Sequence, residues 1–297
     1  FSGIEITGGS IISSVSLVKS TDGGKTFSLS KRITETNMFP FFSVTGGDGV
    51  RCNGFPSVSV DKEGRVHIAY ADSSRNARED RSDIFYIRST DGGTTFSQPL
   101  KVNDDITGTT QINPSVAVAG DGTVAIRWWD RRNDTVNDSL TDVYMAFSKD
   151  NGASFGKNFR ITDHNWVFSP SETSDYHGDY DGLVADESNF YMSWSDERRG
   201  DQDVYFTQIA TNRDANASDF NISTVKTFDS VIAGNKVDYS LSTSAINGSD
   251  ERLSLRAEPA ITGLTYSFNN NSISAGDSAT LSVSTSSSVS PGTYFIT

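Results

Sequence analysis

Three copies of one short turn signature constrain this chain more than any other feature. They read Ser20-Thr21-Asp22-Gly23-Gly24-Lys25-Thr26-Phe27, Ser89-Thr90-Asp91-Gly92-Gly93-Thr94-Thr95-Phe96 and Ser148-Lys149-Asp150-Asn151-Gly152-Ala153-Ser154-Phe155. The pattern Ser-x-Asp-x-Gly-x-Ser/Thr-Phe describes a tight hairpin turn. The Asp carboxylate accepts hydrogen bonds from the turn's own backbone, the second Gly takes a left-handed conformation, and the Phe tucks beneath. Around each copy runs a series of short apolar strands. Pro56–Val60, Pro114–Val118 and Gly182–Ala185 are read as first strands, Val66–Tyr70, Val124–Trp128 and Phe190–Trp194 as second strands, and the segments starting at Asp83, Asp142 and Asp203 as third strands. Abundant Ser, Thr and Gly (25) agree with strands and turns rather than helices. The expected fold class is all-β.

The three copies resemble the Asp-box, or BNR repeat, of sialidase-like β-propellers. Asp22, Gly24, Phe27, Asp91, Gly93, Phe96, Asp150, Gly152 and Phe155 are then structural residues of the box. Successive boxes lie 69 and 59 residues apart, about the length of one four-stranded blade with its loops. Residues 1–35 supply half a blade, two full blades follow, and a last blade, its box reduced to Thr211-Asn212-Arg213-Asp214, ends near 226. Three and a half blades are fewer than a closed ring needs, which predicts either an unusual four-bladed ring or, preferably, part of a longer propeller. The expected domains are therefore a β-propeller over 1–226 and a β-sandwich over 228–297. The second segment, with Gly263–Phe268, Ser274–Val283 and a last strand over 294–297, resembles a bacterial or archaeal immunoglobulin-like module.

A formal net charge of -13 repels phosphate backbones and anionic lipid, so nucleic acid and membrane surfaces are not expected partners. No apolar run is long enough to span a bilayer as a helix. Cys52 stands alone, so no internal disulfide is available. Asn-x-Ser/Thr sequons at Asn133, Asn137, Asn216, Asn221, Asn247 and Asn270 are candidate glycan sites. With the acidic surface they point to an extracellular or cell-surface glycoprotein.

The box turns occupy one face of the propeller, so function is expected on the other, where the loops between second and third strands and between blades meet. Second strands exit there as Asp72 with Arg75, Asp130 with Arg132, and Asp196 with Arg198 or Arg199, and Arg132 and Arg198 are candidate ligand-binding residues. An Arg fork can clamp a carboxylate, but a device repeated in successive blades is read first as scaffold. Residues that occur once carry more functional information: Arg51, Trp166, His177 and Tyr180 are candidate ligand-binding residues. The run Asp175-Tyr176-His177-Gly178-Asp179-Tyr180-Asp181 concentrates carboxylates just before an inner strand, and Asp175, Asp179 and Asp181 would suit a divalent cation such as Ca2+.

Sialidases place three arginines on the substrate carboxylate, activate a Tyr nucleophile with a Glu, use an Asp as acid/base, and carry an Arg-Ile-Pro motif. Here Phe159-Arg160-Ile161-Thr162 lacks the proline, and pairing Tyr176 or Tyr180 with Glu172 or Glu187 has no support from spacing. The activity is therefore not transferred. The favoured expectation is a propeller acting as a binding or structural module, with glycans, other surface proteins or copies of itself as partners. One alternative is an exo-acting glycoside hydrolase of sialidase type whose catalytic residues lie partly outside this chain; another is a subunit of a surface layer or filament.

Overall fold

The computed structural model describes residues 2–7, 10–37, 54–73, 82–167, 180–198, 202–215, 219–224, 226, 228–246 and 252–296. Among them there is no helix, and so none long and apolar enough to cross a membrane. The protein is all-β. The chain divides into two compact units, Phe1–Ala215 and Asn216–Thr297.

The first unit is a row of four antiparallel sheets, each built from strands in chain order. The first sheet contains β1 (Ser2–Thr7), β2 (Ser10–Leu17) and β3 (Lys31–Thr36). In the second are β4 (Ser57–Val60), β5 (Val66–Asp72), β6 (Asp83–Ser89) and β7 (Leu100–Lys101). The third comprises β8 (Gln111–Val118), β9 (Val124–Asp130), β10 (Asp142–Ser148) and β11 (Phe159–Arg160), and the fourth β12 (Gly182–Ala185), β13 (Asn189–Asp196) and β14 (Asp203–Ala210). Short connections between neighbouring antiparallel strands explain the simple order. The outermost strands are two residues long, Leu100–Lys101 and Phe159–Arg160.

Burial follows position in the row. Every residue of β9 is buried because sheets cover both its faces, and the strand is accordingly apolar except for Arg127 and Asp130. Strand β13 alternates, burying Phe190, Met192, Trp194 and Asp196. The largest core joins the second, third and fourth sheets through residues such as Tyr86, Ile112, Met145, Phe147 and Phe190. A smaller one, Val15, Ile68, Tyr70 and Ile87, joins the first sheet to the second.

All three repeated turns form the same hydrogen-bonded unit. Ser20, Ser89 and Ser148 each donate Oγ–H to the Oδ1 of the Asp two residues on, at 2.7 Å. The same hydroxyl oxygens accept from the backbone N–H of Gly24, Gly93 and Gly152 at 2.8, 2.7 and 2.7 Å. The hydroxyls of Thr26, Thr95 and Ser154 close each ring onto Oδ2 of Asp22, Asp91 and Asp150 at 2.6 Å. The three glycines have φ of 87°, 89° and 81°, which a Cβ would oppose. Phe96 and Phe155 are half-buried against the preceding sheet, whereas Phe27, in the first sheet, is exposed rather than tucked beneath its turn.

The second unit contains β15 (Asp219–Thr224), β16 (Lys236–Ile246), β17 (Arg252–Ser254), β18 (Leu264–Phe268), β19 (Ser272–Ser274) and β20 (Ser278–Thr285). They form one sheet in the order β15-β16-β20-β18 and a two-stranded sheet, β17-β19. Between them lies a small core of Leu253, Ile273 and Ala279. Strand β15, placed by sequence in the segment ending at 226, pairs with β16 in this unit. Within Ser274–Val283 the chain turns at Gly276, φ 101°, where Asp277 accepts from the Ser274 backbone N–H at 2.8 Å. Residues 294–296 form no strand; instead the Tyr294 hydroxyl turns back to donate to the Ser290 carbonyl.

Candidate functional site

On the side of the row away from the box turns, second-strand ends repeat a clasp. Trp128 and Trp194 donate Nε1–H to Oδ2 of Asp130 and Asp196 at 2.6 and 2.9 Å. Each carboxylate, fully buried, also takes an Arg fork: Arg132 Nη2 lies 2.8 Å from Asp130 Oδ2, and Arg198 Nη2 2.6 Å from Asp196 Oδ2. Burial pushes Asp130 up while Arg132 holds it down, so the pair is stable only as a pair. The forks then reach the preceding sheet: Arg132 Nη1 meets Asp104 at 2.7 Å, and Arg198 meets Asp163. Each guanidinium also covers a third-strand ring, at 4.3 Å for Tyr144 and 4.1 Å for Tyr205. Arg132 and Arg198 therefore have their guanidinium groups engaged in tying neighbouring sheets together.

Trp166, a candidate ligand platform from sequence, is 2% exposed and packs edge-on against Trp129 at 6.4 Å, so it belongs to the core. Arg51, Asp175, His177 and Asp179 lie outside the described residues, as do Asn216 and Asn247. Among the described residues no group of three His, Cys, Asp or Glu is placed to hold a metal ion. Asn133 is exposed, but its Nδ2 donates to Asp142 Oδ2 at 2.8 Å and the Tyr144 hydroxyl at 3.1 Å. Asn137 and Asn270 are exposed, and Asn221 is in β15.

The structure brings together a different set where the inner strands β4, β8 and β12 begin. Tyr180 is 77% exposed, and its ring stacks on Phe55 with centroids 5.8 Å apart and planes 16° from parallel. Phe55 precedes β4 and Tyr180 precedes β12, so the stack joins the second and fourth sheets across the start of β8. The next residue, Asp181, turns inward. Its Oδ2 lies 2.6 Å from Arg127 Nη2 and accepts from Asn113 Nδ2 at 3.2 Å, while Oδ1 accepts from the Ser195 backbone N–H at 3.4 Å. Asn113 has φ 56° at a break in the β8–β9 register, which turns its amide toward Asp181.

Arg127 is fully buried in β9, and its contact with Asp181 is off the direction of its N–H bonds. Among the described residues its Nε and Nη1 have no hydrogen-bond partner. Burial draws the guanidinium down to about 9, which leaves it a cation at neutral pH. Unfilled donors on a buried cation are costly and mark places where a polar group or water is held. Sequence reading missed Arg127, Asn113 and Phe55. A signal was present: at the matching second-strand position the repeats carry Ala69 and Ser193, and a lone Arg departs from both.

No protein-family model matches the chain, and no curated protein sequence matches it. Among solved structures, the Hadza microbial sialidase Hz136 is similar at 15% identity and TM-score 0.43, covering 80% of this chain and 50% of its own. An α-L-arabinanase of Penicillium chrysogenum follows at 15% identity and TM-score 0.41, covering 72% and 63%. The intramolecular trans-sialidase of Ruminococcus gnavus is similar at 11% identity and TM-score 0.36, covering 78% and 46%. The chain thus spans about half the length of those sialidases. Where a non-catalytic binding or structural module was expected, the structural neighbours are named as sialidases, an arabinanase and α-L-arabinofuranosidases, and none is a binding or structural module.

Proposed function

We propose that the chain is part of a secreted glycoside hydrolase, its row of sheets forming blades of a β-propeller and its second unit an immunoglobulin-like module. The observation that carries this reading is the exposed Tyr180–Phe55 stack directly beside the Arg127–Asp181 pair. A sugar ring presents C–H faces that suit an aromatic platform, and hydroxyls that suit a few fixed polar groups at its edge. Both are present where three inner strands begin, on the side away from the box turns.

Within that site Asp181 supplies a carboxylate, and Arg127 and Asn113 hold it in place. Glycoside hydrolysis generally needs two carboxyl groups flanking the scissile bond, one to protonate the leaving oxygen and one to act on the opposite face of the ring. Asp181 is the described member of such a pair, and the acids at 172–179 are the sequence neighbours that would complete it. Sialosides and α-L-arabinofuranosides are the substrates to try first.

The test is hydrolysis of a fluorogenic sialoside and a chromogenic α-L-arabinofuranoside by the natural full-length protein, with Asp181→Asn alongside. Turnover that falls about 100-fold or more in the variant supports the reading. Absence of turnover on both substrates by folded wild-type protein, or an Asp181→Asn variant as active as wild type, overturns it.

A further inference from the structure

Where the second sheet meets the third, a buried histidine has both ring nitrogens engaged. His67, in β5, is 0% exposed, with Nε2 3.2 Å from Asp61 Oδ2 and Nδ1 2.6 Å from the Tyr86 hydroxyl. The partners decide which nitrogen carries the proton. Asp61 accepts from the backbone N–H groups of Glu63 and Arg65 at 3.1 and 2.9 Å and from Arg65 Nε at 2.5 Å. Burial pushes its pKa up, yet hydrogen bonds led by that of the Arg65 side chain hold it below the usual carboxylate value, so it faces His67 as an anion that can only accept. Nε2 therefore bears the hydrogen and Nδ1 is bare. The Tyr86 hydroxyl, whose pKa burial pushes up, stays protonated and donates to it.

Tyr86 carries that bond into the junction between the two sheets. Its ring meets Phe155 edge-on at 5.0 Å, and its hydroxyl lies where a Cβ on Gly152 would come within 2.0 Å, so the box turn of the third sheet rests on the phenol. A second proton on His67 lands on Nδ1, and the bond then survives only reversed, with Nδ1–H donating to the phenol oxygen. The phenolic hydrogen is left without an acceptor among the described residues, on a side chain 1% exposed and beside a charged ring. Both the orphaned donor and the buried charge are costly.

We propose that His67 is an acid-operated latch on the junction between the second and third sheets: the neutral ring holds Tyr86 and the 148–155 turn closed, and the imidazolium releases them. Facing the pair are Asp61, Arg65 and, beyond Arg65, Glu63 from the turn between β4 and β5, Arg88 from β6, and Asp150 from the third sheet's box turn. Strands β4 and β8 bring no titratable side chain. Burial, with Arg65 and Arg88, draws His67 below its ordinary value against the pull of Asp61. The closed junction thus disfavours the proton. Its stability is complete above the free imidazole value of about 6.5 and is lost as pH falls through the lower value of the closed form.

Hydrogen exchange of the folded 297-residue chain at pH 7.5 and 5.0, corrected for intrinsic rates and read by mass spectrometry, tests the latch. The 148–155 amides should open about fivefold or more at pH 5.0. His67→Gln offers Tyr86 an acceptor and Asp61 a donor without titrating, and should lose that response; Tyr86→Phe should exchange faster than wild type already at pH 7.5. Equal corrected exchange of the wild-type turn at the two pH values overturns the proposal, and so does a His67→Gln chain that keeps the wild-type response. Should that variant not fold, the imidazole is titrated by NMR in wild type, where a value at or above that of free histidine overturns it as well. None of these readouts involves turnover, so the latch and the enzyme reading stand or fall separately.

Discussion

Gly152 and Gly24 hold the same place in two copies of one turn, yet they answer to different forces. A Cβ on Gly24 would meet nothing within 4 Å, whereas on Gly152 it would lie 2.0 Å from the Tyr86 hydroxyl of the neighbouring sheet. Gly24→Ala should therefore cost only the left-handed backbone penalty, about 1–2 kcal/mol. Gly152→Ala adds a clash with a buried ring that also bonds His67 Nδ1 at 2.6 Å, for a total of about 3–5 kcal/mol. Chemical denaturation of the two variants measures the difference, and equal losses would mean that the turn alone matters. The turn carboxylates make a second prediction. Hydrogen bonds led by the Thr26 and Ser154 hydroxyls hold Asp22 and Asp150 down to about 2. A depressed acid stabilises the fold above its unfolded value of about 3.9 and loses that contribution as pH falls through the folded value. The melting temperature should thus be insensitive to these groups near neutrality and fall between about pH 4 and pH 2, as a thermal scan against pH would show.

Between elements, the side chains that matter are those that join one sheet to the next. On the turn side Lys19 Nζ donates to the Gly92 carbonyl at 2.7 Å and Lys149 Nζ to that of Thr211 at 2.6 Å, each reaching the following sheet. On the opposite side the Arg132 and Arg198 clasps reach back to the preceding one. Arg132→Ala strands the buried Asp130 carboxylate and should destabilise by about 3 kcal/mol, with Arg132→Lys restoring only part because an ammonium cannot match the fork. Urea unfolding gives the values, and an Arg132→Lys chain as stable as wild type would show that charge alone suffices. The strands themselves were legible from sequence, since alternation and the repeated turns mark each hairpin. Their lengths were less so: the fourth strands pair with the third over only two residues each.

At the scale of the whole molecule, the proposed site exists only because separate sheets converge. Phe55 and Tyr180 are 125 positions apart in the chain and stack across the start of β8. Tyr180→Ala or Phe55→Ala should raise KM for the glycoside by about 5- to 20-fold with a smaller change in kcat, the loss of a platform worth about 1–2 kcal/mol. Steady-state kinetics decides: a fall in kcat with KM unchanged would give the rings a part in the chemical step instead. Arg127→Met keeps the volume but removes the charge, and should reduce kcat through Asp181.

The sequence by itself determined the all-β class, the three turns and the residues that build them, because each rests on contacts within about eight neighbouring positions, where spacing and side-chain chemistry are sufficient. It also showed the Asp-Arg repeat at second-strand ends. Tertiary structure alone decided which sheet each clasp binds, that Trp166 is core, and that Asp181 faces a buried Arg127. Those outcomes depend on burial and on the meeting of distant segments, and a strand's sequence carries its own alternation but not the identity of the surface that will cover it.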